Sequence, residues 1–99
     1  MGKVIFSIAY NVIPEKRDDY LSVIRELKTL VVAEGLESYS VYELKNKKNS
    51  FSELYLFDSM QAYEDFDDNQ DERIDILMTK LSDLIVEQST HYTTQFEVE

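Results

Sequence analysis

Residues Leu54 to Tyr63, Leu-Tyr-Leu-Phe-Asp-Ser-Met-Gln-Ala-Tyr, restrict the folds open to this chain more than any other stretch. Leu54, Tyr55, Leu56 and Phe57 form an apolar, β-prone run of the kind that makes a buried strand. Ser59 follows as a helix cap, its hydroxyl accepting from a backbone N–H that the first helical turn leaves without a partner. A strand running directly into a capped helix sets the second half of the fold. The first half is equally legible.

The first strand is expected over about Lys3 to Ile13. Val4, Phe6, Ile8, Tyr10 and Val12 fall on one face, and Ile5, Ser7, Ala9, Asn11 and Ile13 on the other. A strand half exposed to water alternates apolar with polar residues, and this one does not, so both faces read as covered. The face of small and polar residues is expected to lie beneath the helices. Pro14 ends the strand and suits the first helical position. Tyr20, Ile24, Leu27 and Val31 recur at helical spacing and predict an amphipathic helix to about Glu34, with Gly35 as its C′ residue.

A second strand is predicted over about Leu36 to Leu44, a polar hairpin tip over Lys45 to Ser50, and a third strand over about Phe51 to Asp58. A short helix from Met60 to about Phe66 follows. The acidic run at Asp67 to Glu72 interrupts it, and a longer helix is predicted over about Asp71 to Gln88. A last strand begins at Thr90. The order is β-α-β-β-α-β in one α+β domain spanning residues 1–99, the ferredoxin-like pattern with an antiparallel sheet and helices on one face. The opposite sheet face would be bare in a monomer. Its apolar residues predict a homodimer paired sheet to sheet.

Charge and composition exclude several classes of function. Residues 1–48 carry eight basic and seven acidic side chains, whereas residues 49–99 carry two basic and thirteen acidic ones. That surface repels phosphate backbones and anionic lipids, so neither nucleic acid nor membrane is expected as a partner. The chain has no Cys, which removes disulfides and thiolate chemistry and suits a cytoplasmic protein. No apolar run reaches the roughly 18 residues of a membrane span, and the start goes straight into a strand pattern without a signal-peptide h-region. A calcium loop begun at Asp65 would need Gly at its sixth place and Glu at its twelfth, where Gln70 and Ile76 stand, so no metal site is expected.

Three pieces, in order, carry a family resemblance. They are Val12-Ile13-Pro14-Glu15-Lys16, Gly35-Leu36-Glu37-Ser38-Tyr39 and Leu56-Phe57-Asp58-Ser59-Met60-Gln61-Ala62-Tyr63. The chain resembles the antibiotic biosynthesis monooxygenase superfamily of dimeric α/β-barrel proteins. Its members commonly read Pro-Gly-Lys, then Gly-x-x-x-Tyr, then an aromatic residue followed by x-Ser-x-x-Ala. The resemblance implies a homodimer with a pocket between sheet and helices. It also implies, as in several members, oxidation of quinols or polyketide phenols by O₂ without metal or flavin. An electron-rich phenolate can itself pass an electron to O₂, so the protein need only bind it, ionise it and exclude water.

The function implied is thus a cofactor-independent monooxygenase acting on a small aromatic or quinol-like substrate. The alternative is a non-catalytic small-ligand-binding or stress-response protein on the same fold. Many members carry His late in the short helix and just beyond, where Phe66 and Asp71 stand here. Haem-degrading members use Asn, Trp and His where Ala9, Phe57 and roughly Ile76 stand, which argues against haem degradation.

Six residues are candidates for the site. His91 is the only His and a residue type suited to general base catalysis, against the simpler reading of a surface histidine at a helix–strand junction. Asn11 is a polar anchor on the small-residue face of strand one, and His91 and Asn11 form the expected catalytic pair. Tyr39, Tyr55 and Phe57 are expected to line an aromatic substrate pocket, against the simpler reading of core. Glu53 shares their face and, if buried, is a proton acceptor with a raised pKa.

Overall fold

A computed structural model describes residues 2–66 and 71–98. Seven elements follow in the expected order: β1 (Val4–Asn11), α1 (Arg17–Leu30), β2 (Leu36–Glu43), β3 (Ser50–Phe57), α2 (Met60–Asp65), α3 (Glu72–Ser82) and β4 (His91–Phe96). A single 3₁₀ turn, Pro14–Lys16, joins β1 to α1. The strands form one antiparallel sheet in the order β2-β3-β1-β4. The shortest dimension is 21 Å, the thickness of one sheet and one helix layer. The expected interruption between the second-half helices falls partly on residues 67–70, outside the described residues.

Alternation along β1 and β3 places Val4, Tyr10, Phe51, Tyr55 and Phe57 in the core. They pack against Tyr20, Val23, Ile24 and Leu27 of α1 and Ile74, Leu77 and Leu81 of α3. The large residues of β1, not the small ones, therefore face the helices. This corrects the expectation for Asn11, whose strand neighbours Ala9 and Ser7 share the bare face. Both faces of β1 carry apolar residues, so alternation alone does not show which one is covered. Size decides it, because rings such as Tyr10 span the gap to a helix.

Ser59 caps α2 as expected, its Oγ accepting from the Ala62 N–H at 3.1 Å. Asp71 does the same for α3, accepting from the Arg73 N–H at 2.7 Å. Helix α1 stops earlier than its periodicity predicts. Val31 turns extended and stays buried, so Gly35 is not the C′ residue. Gly35 instead takes φ +82° in the turn into β2, and a Cβ there would collide with the Ala62 side chain and lie 2.9 Å from Asp58 Oδ1. Helix α3 is likewise shorter. Leu84 remains buried, but Ile85 forms a β-bridge with Val12, and the chain leaves the helical path. Among the described residues no helix is long and apolar enough to cross a membrane.

Two ion pairs join elements distant in sequence. Arg17 makes a two-pronged contact with Glu43 at 2.6 and 2.7 Å, joining the start of α1 to the end of β2. That pair and the Asn49 N–H hold the Glu43 carboxyl well below its usual range, at about 2. Arg73 and Glu26 pair similarly, linking α3 to α1.

Candidate functional site

Glu53 is the one charged residue buried among the described residues, at 2% exposure. Alternation along β3 points it toward the helices, and the register places Ile8 of β1 and Val41 of β2 on either side. Its diagonal neighbours on those strands are Tyr10 and Tyr39, within reach for long side chains. The Tyr10 hydroxyl donates to Glu53 Oε2 and the Tyr39 hydroxyl to Oε1, each at 2.7 Å. The Tyr55 hydroxyl makes a longer contact at 3.5 Å. Tyr20 lies 2.8 Å from Tyr10. The Tyr10 proton is committed to Glu53, so Tyr20 donates and the chain runs Tyr20 to Tyr10 to Glu53.

Two effects compete at Glu53. Burial raises its pKa, and the phenol hydrogen bonds, which favour the carboxylate, lower it; burial is the larger and the pKa is raised. Burial, followed by the nearby Glu53 charge, lifts the Tyr10 and Tyr39 phenols far above their ordinary range. Tyr20 is also raised, mainly by burial. The phenols therefore stay protonated near neutrality, and the carboxyl is the group in this cluster that exchanges a proton.

A hollow of about 440 Å³ opens beside the cluster. Phe6 and Ile8 of β1, Tyr92 of β4, and Met78, Leu81 and Ile85 wall it. Tyr10 and Glu53 also line it, and Ser82, Glu87, Gln88 and Thr90 supply its remaining polar lining. Apolar walls with a few convergent polar groups are the usual character of a small-molecule site, and the volume is in the usual range. The tilted and stacked contacts of Phe6 with Tyr55, Tyr63 and Tyr92 extend this aromatic surface.

The structure distributes the six candidate residues over three places. Glu53 borders this hollow. Tyr39, Tyr55 and Phe57 do not, and they are buried in the core at 9%, 1% and 0% exposure. His91 and Asn11 share a different hollow, of about 490 Å³, lined also by Ser50, Ser89 and Lys47. Asn11 there accepts from the Ser50 hydroxyl at 2.6 Å, and its backbone N–H donates to Ser89 Oγ. Tyr10 and residues 86–88 border both hollows. A third hollow, of about 510 Å³ beside Gly35, is larger but is lined by Glu34, Asp58 and Asp65 and has less apolar wall. Met78, Leu81 and Ile85 are readable as a helical stripe, but only the fold separates a cavity wall from packed core.

No protein-family model and no curated protein sequence matches this chain. Solved structures do. A Caulobacter crescentus protein provisionally named an antibiotic biosynthesis monooxygenase superposes with a TM-score of 0.79 at 17% identity, covering 99% of this chain and 92% of its own. A structure named antibiotic biosynthesis monooxygenase gives 0.75 at 20% identity over 100% of both chains. A conserved protein of Methanosarcina mazei gives 0.78 at 14% identity, over 96% and 92%. The chain thus has the ferredoxin-like α+β fold of the antibiotic biosynthesis monooxygenase structures over nearly its whole length, as the sequence resemblance implies.

Proposed function

We propose that the hollow beside Glu53 binds a small, electron-rich phenol or quinol and that the protein oxidises it with O₂. The observation that carries the reading is Glu53 itself, a buried carboxyl held by two phenols at the edge of a hollow walled mainly by aromatic and aliphatic side chains. The shared fold supports it, because structures of this fold carry the monooxygenase name. In this reaction Glu53 takes the proton of the ring hydroxyl. The phenolate passes an electron to O₂, and the resulting radical pair joins oxygen to a ring carbon. That carbon then loses its hydrogen, the O–O bond breaks, one oxygen stays as a quinone carbonyl, and the other leaves as water. The substrate is the reductant and O₂ the oxidant, and Glu53 returns its proton to the departing oxygen. This reading gives the proton transfer to Glu53, in place of His91 and Asn11, which do not line the hollow.

Oxygen uptake with 1-naphthol and other hydroxynaphthalenes tests it. One O₂ consumed per quinone formed, with one labelled oxygen in the product from ¹⁸O₂, is the expected result. Absence of turnover across the panel would leave the non-catalytic ligand-binding alternative, which Phe66 and Asp71 at the family's histidine positions favour. We also propose a homodimer through the face that the helices leave bare, where Ile5, Leu54 and Leu56 are only half-buried. Sedimentation is expected to give a dimer at micromolar concentration, and a monomer there contradicts the pairing.

A further inference from the structure

We infer that the hollow beside Glu53 selects by charge, taking uncharged phenols and turning away aromatic acids. The inference rests on the reading of that hollow as the ring site. Among the described residues its lining holds two carboxyl side chains, Glu53 and Glu87, and no Lys, Arg or His. An aromatic carboxylate entering it sheds water against Phe6, Ile8 and Leu81 and finds no cation to replace that water. The one phenol hydroxyl of the lining beside Glu53 is already engaged, because Tyr10 donates to Glu53 at 2.7 Å. The neutral groups Ser82, Gln88 and Thr90 serve a hydroxyl or carbonyl at the outer end of a ligand as readily as an acid.

A phenol meets the opposite situation. Oε1 of Glu53 is taken by Tyr39 and Tyr55, but Oε2 accepts only from Tyr10 and keeps a further lone pair, to which a ring hydroxyl can donate. Like charges brought together in a desolvated site are strongly disfavoured, and the excess of acidic residues in the second half of the chain adds long-range repulsion.

Calorimetric titration near neutral pH with 2-naphthol and 2-naphthoate tests this, since the two share a ring system and differ in charge. Naphthoate is expected to bind on the order of a hundredfold more weakly. Glu53→Gln, at a residue that lines this hollow and not the one at His91, should narrow that gap about tenfold. Glu87→Lys, an exposed substitution that spares the core, should narrow it likewise. Comparable binding of both rings by the wild type, or a gap unchanged in both variants, overturns charge selection while leaving the ring site intact. Failure of both rings to bind removes the ring site and the selection together.

Discussion

Phe57→Ala is expected to lower the free energy of unfolding by about 3–5 kcal/mol, the usual cost of deleting a fully buried ring. Phe57 is 0% exposed and pairs with Val4 on β1 and Leu36 on β2, so it sits where three strands meet. Its ring lies 5.2 Å from Phe66, 5.7 Å from Tyr63 and 6.5 Å from Tyr55, centroid to centroid. Those neighbours come from β3, α2 and the residue just beyond it, and they cannot all move inward to fill the space. A domain of this size has about 5–15 kcal/mol of stability, so the loss is a large fraction of the whole. Urea unfolding at fixed protein concentration should show a lower midpoint with an unchanged slope. The measurement also separates the two readings of this residue. A cost below about 1 kcal/mol together with lost ring binding would make Phe57 a ligand contact and not core.

Element order was legible because each strand and helix carries its own period and its own stop. The Pro14 stop and the Ser59 cap act through atoms close in sequence, so local reasoning suffices. Legibility failed wherever burial continued past the end of an element. Val31 and Leu84 stay buried after their helices end, and hydropathy cannot tell a helical apolar residue from one in a buried turn. The site was half legible. Alternation placed Glu53 on the Tyr55 face, but its short partners Tyr10 and Tyr39 lie 43 and 14 residues away. Only strand register brings them to the same carboxyl. The pairing of Ala9 with His91 likewise explains why His91 and Asn11 share a hollow away from Glu53, on a face that single-strand periodicity could not assign.

Glu53→Gln is expected to stabilise the protein above mildly acidic pH while abolishing most of its turnover. The native Glu53 pKa is raised by burial, so there is a window in which the folded protein keeps a proton that the unfolded chain has released. Its contribution is fully present below the unfolded carboxyl pKa and is lost as pH rises through the native value. Across that window stability falls by about 1.4 kcal/mol per pH unit. Glu43 and Glu26 act oppositely, because Arg17 and Arg73 lower their pKa values; their contributions are present above the unfolded carboxyl pKa and are lost on acidification. Wild-type stability should therefore peak in mild acid. The substituted amide cannot ionise, so the profile of the variant should stay flat where the wild type declines. Glutamine also leaves acceptor and donor atoms for Tyr39 and Tyr10, whereas Glu53→Ala strands the Tyr39 hydroxyl, leaves Tyr10 only its bond to Tyr20, and costs about 1–3 kcal/mol at any pH. Catalysis should move the other way. Without a proton acceptor beside the ring hydroxyl, kcat should fall about 10²–10⁴-fold. Thermal unfolding across pH and oxygen uptake on the same two proteins separate the roles. A persisting decline in the stability of Glu53→Gln with rising pH would place the titrating group elsewhere, and undiminished turnover would remove Glu53 from the chemistry. A variant that is more stable and inactive is the outcome that only a buried, working carboxyl produces.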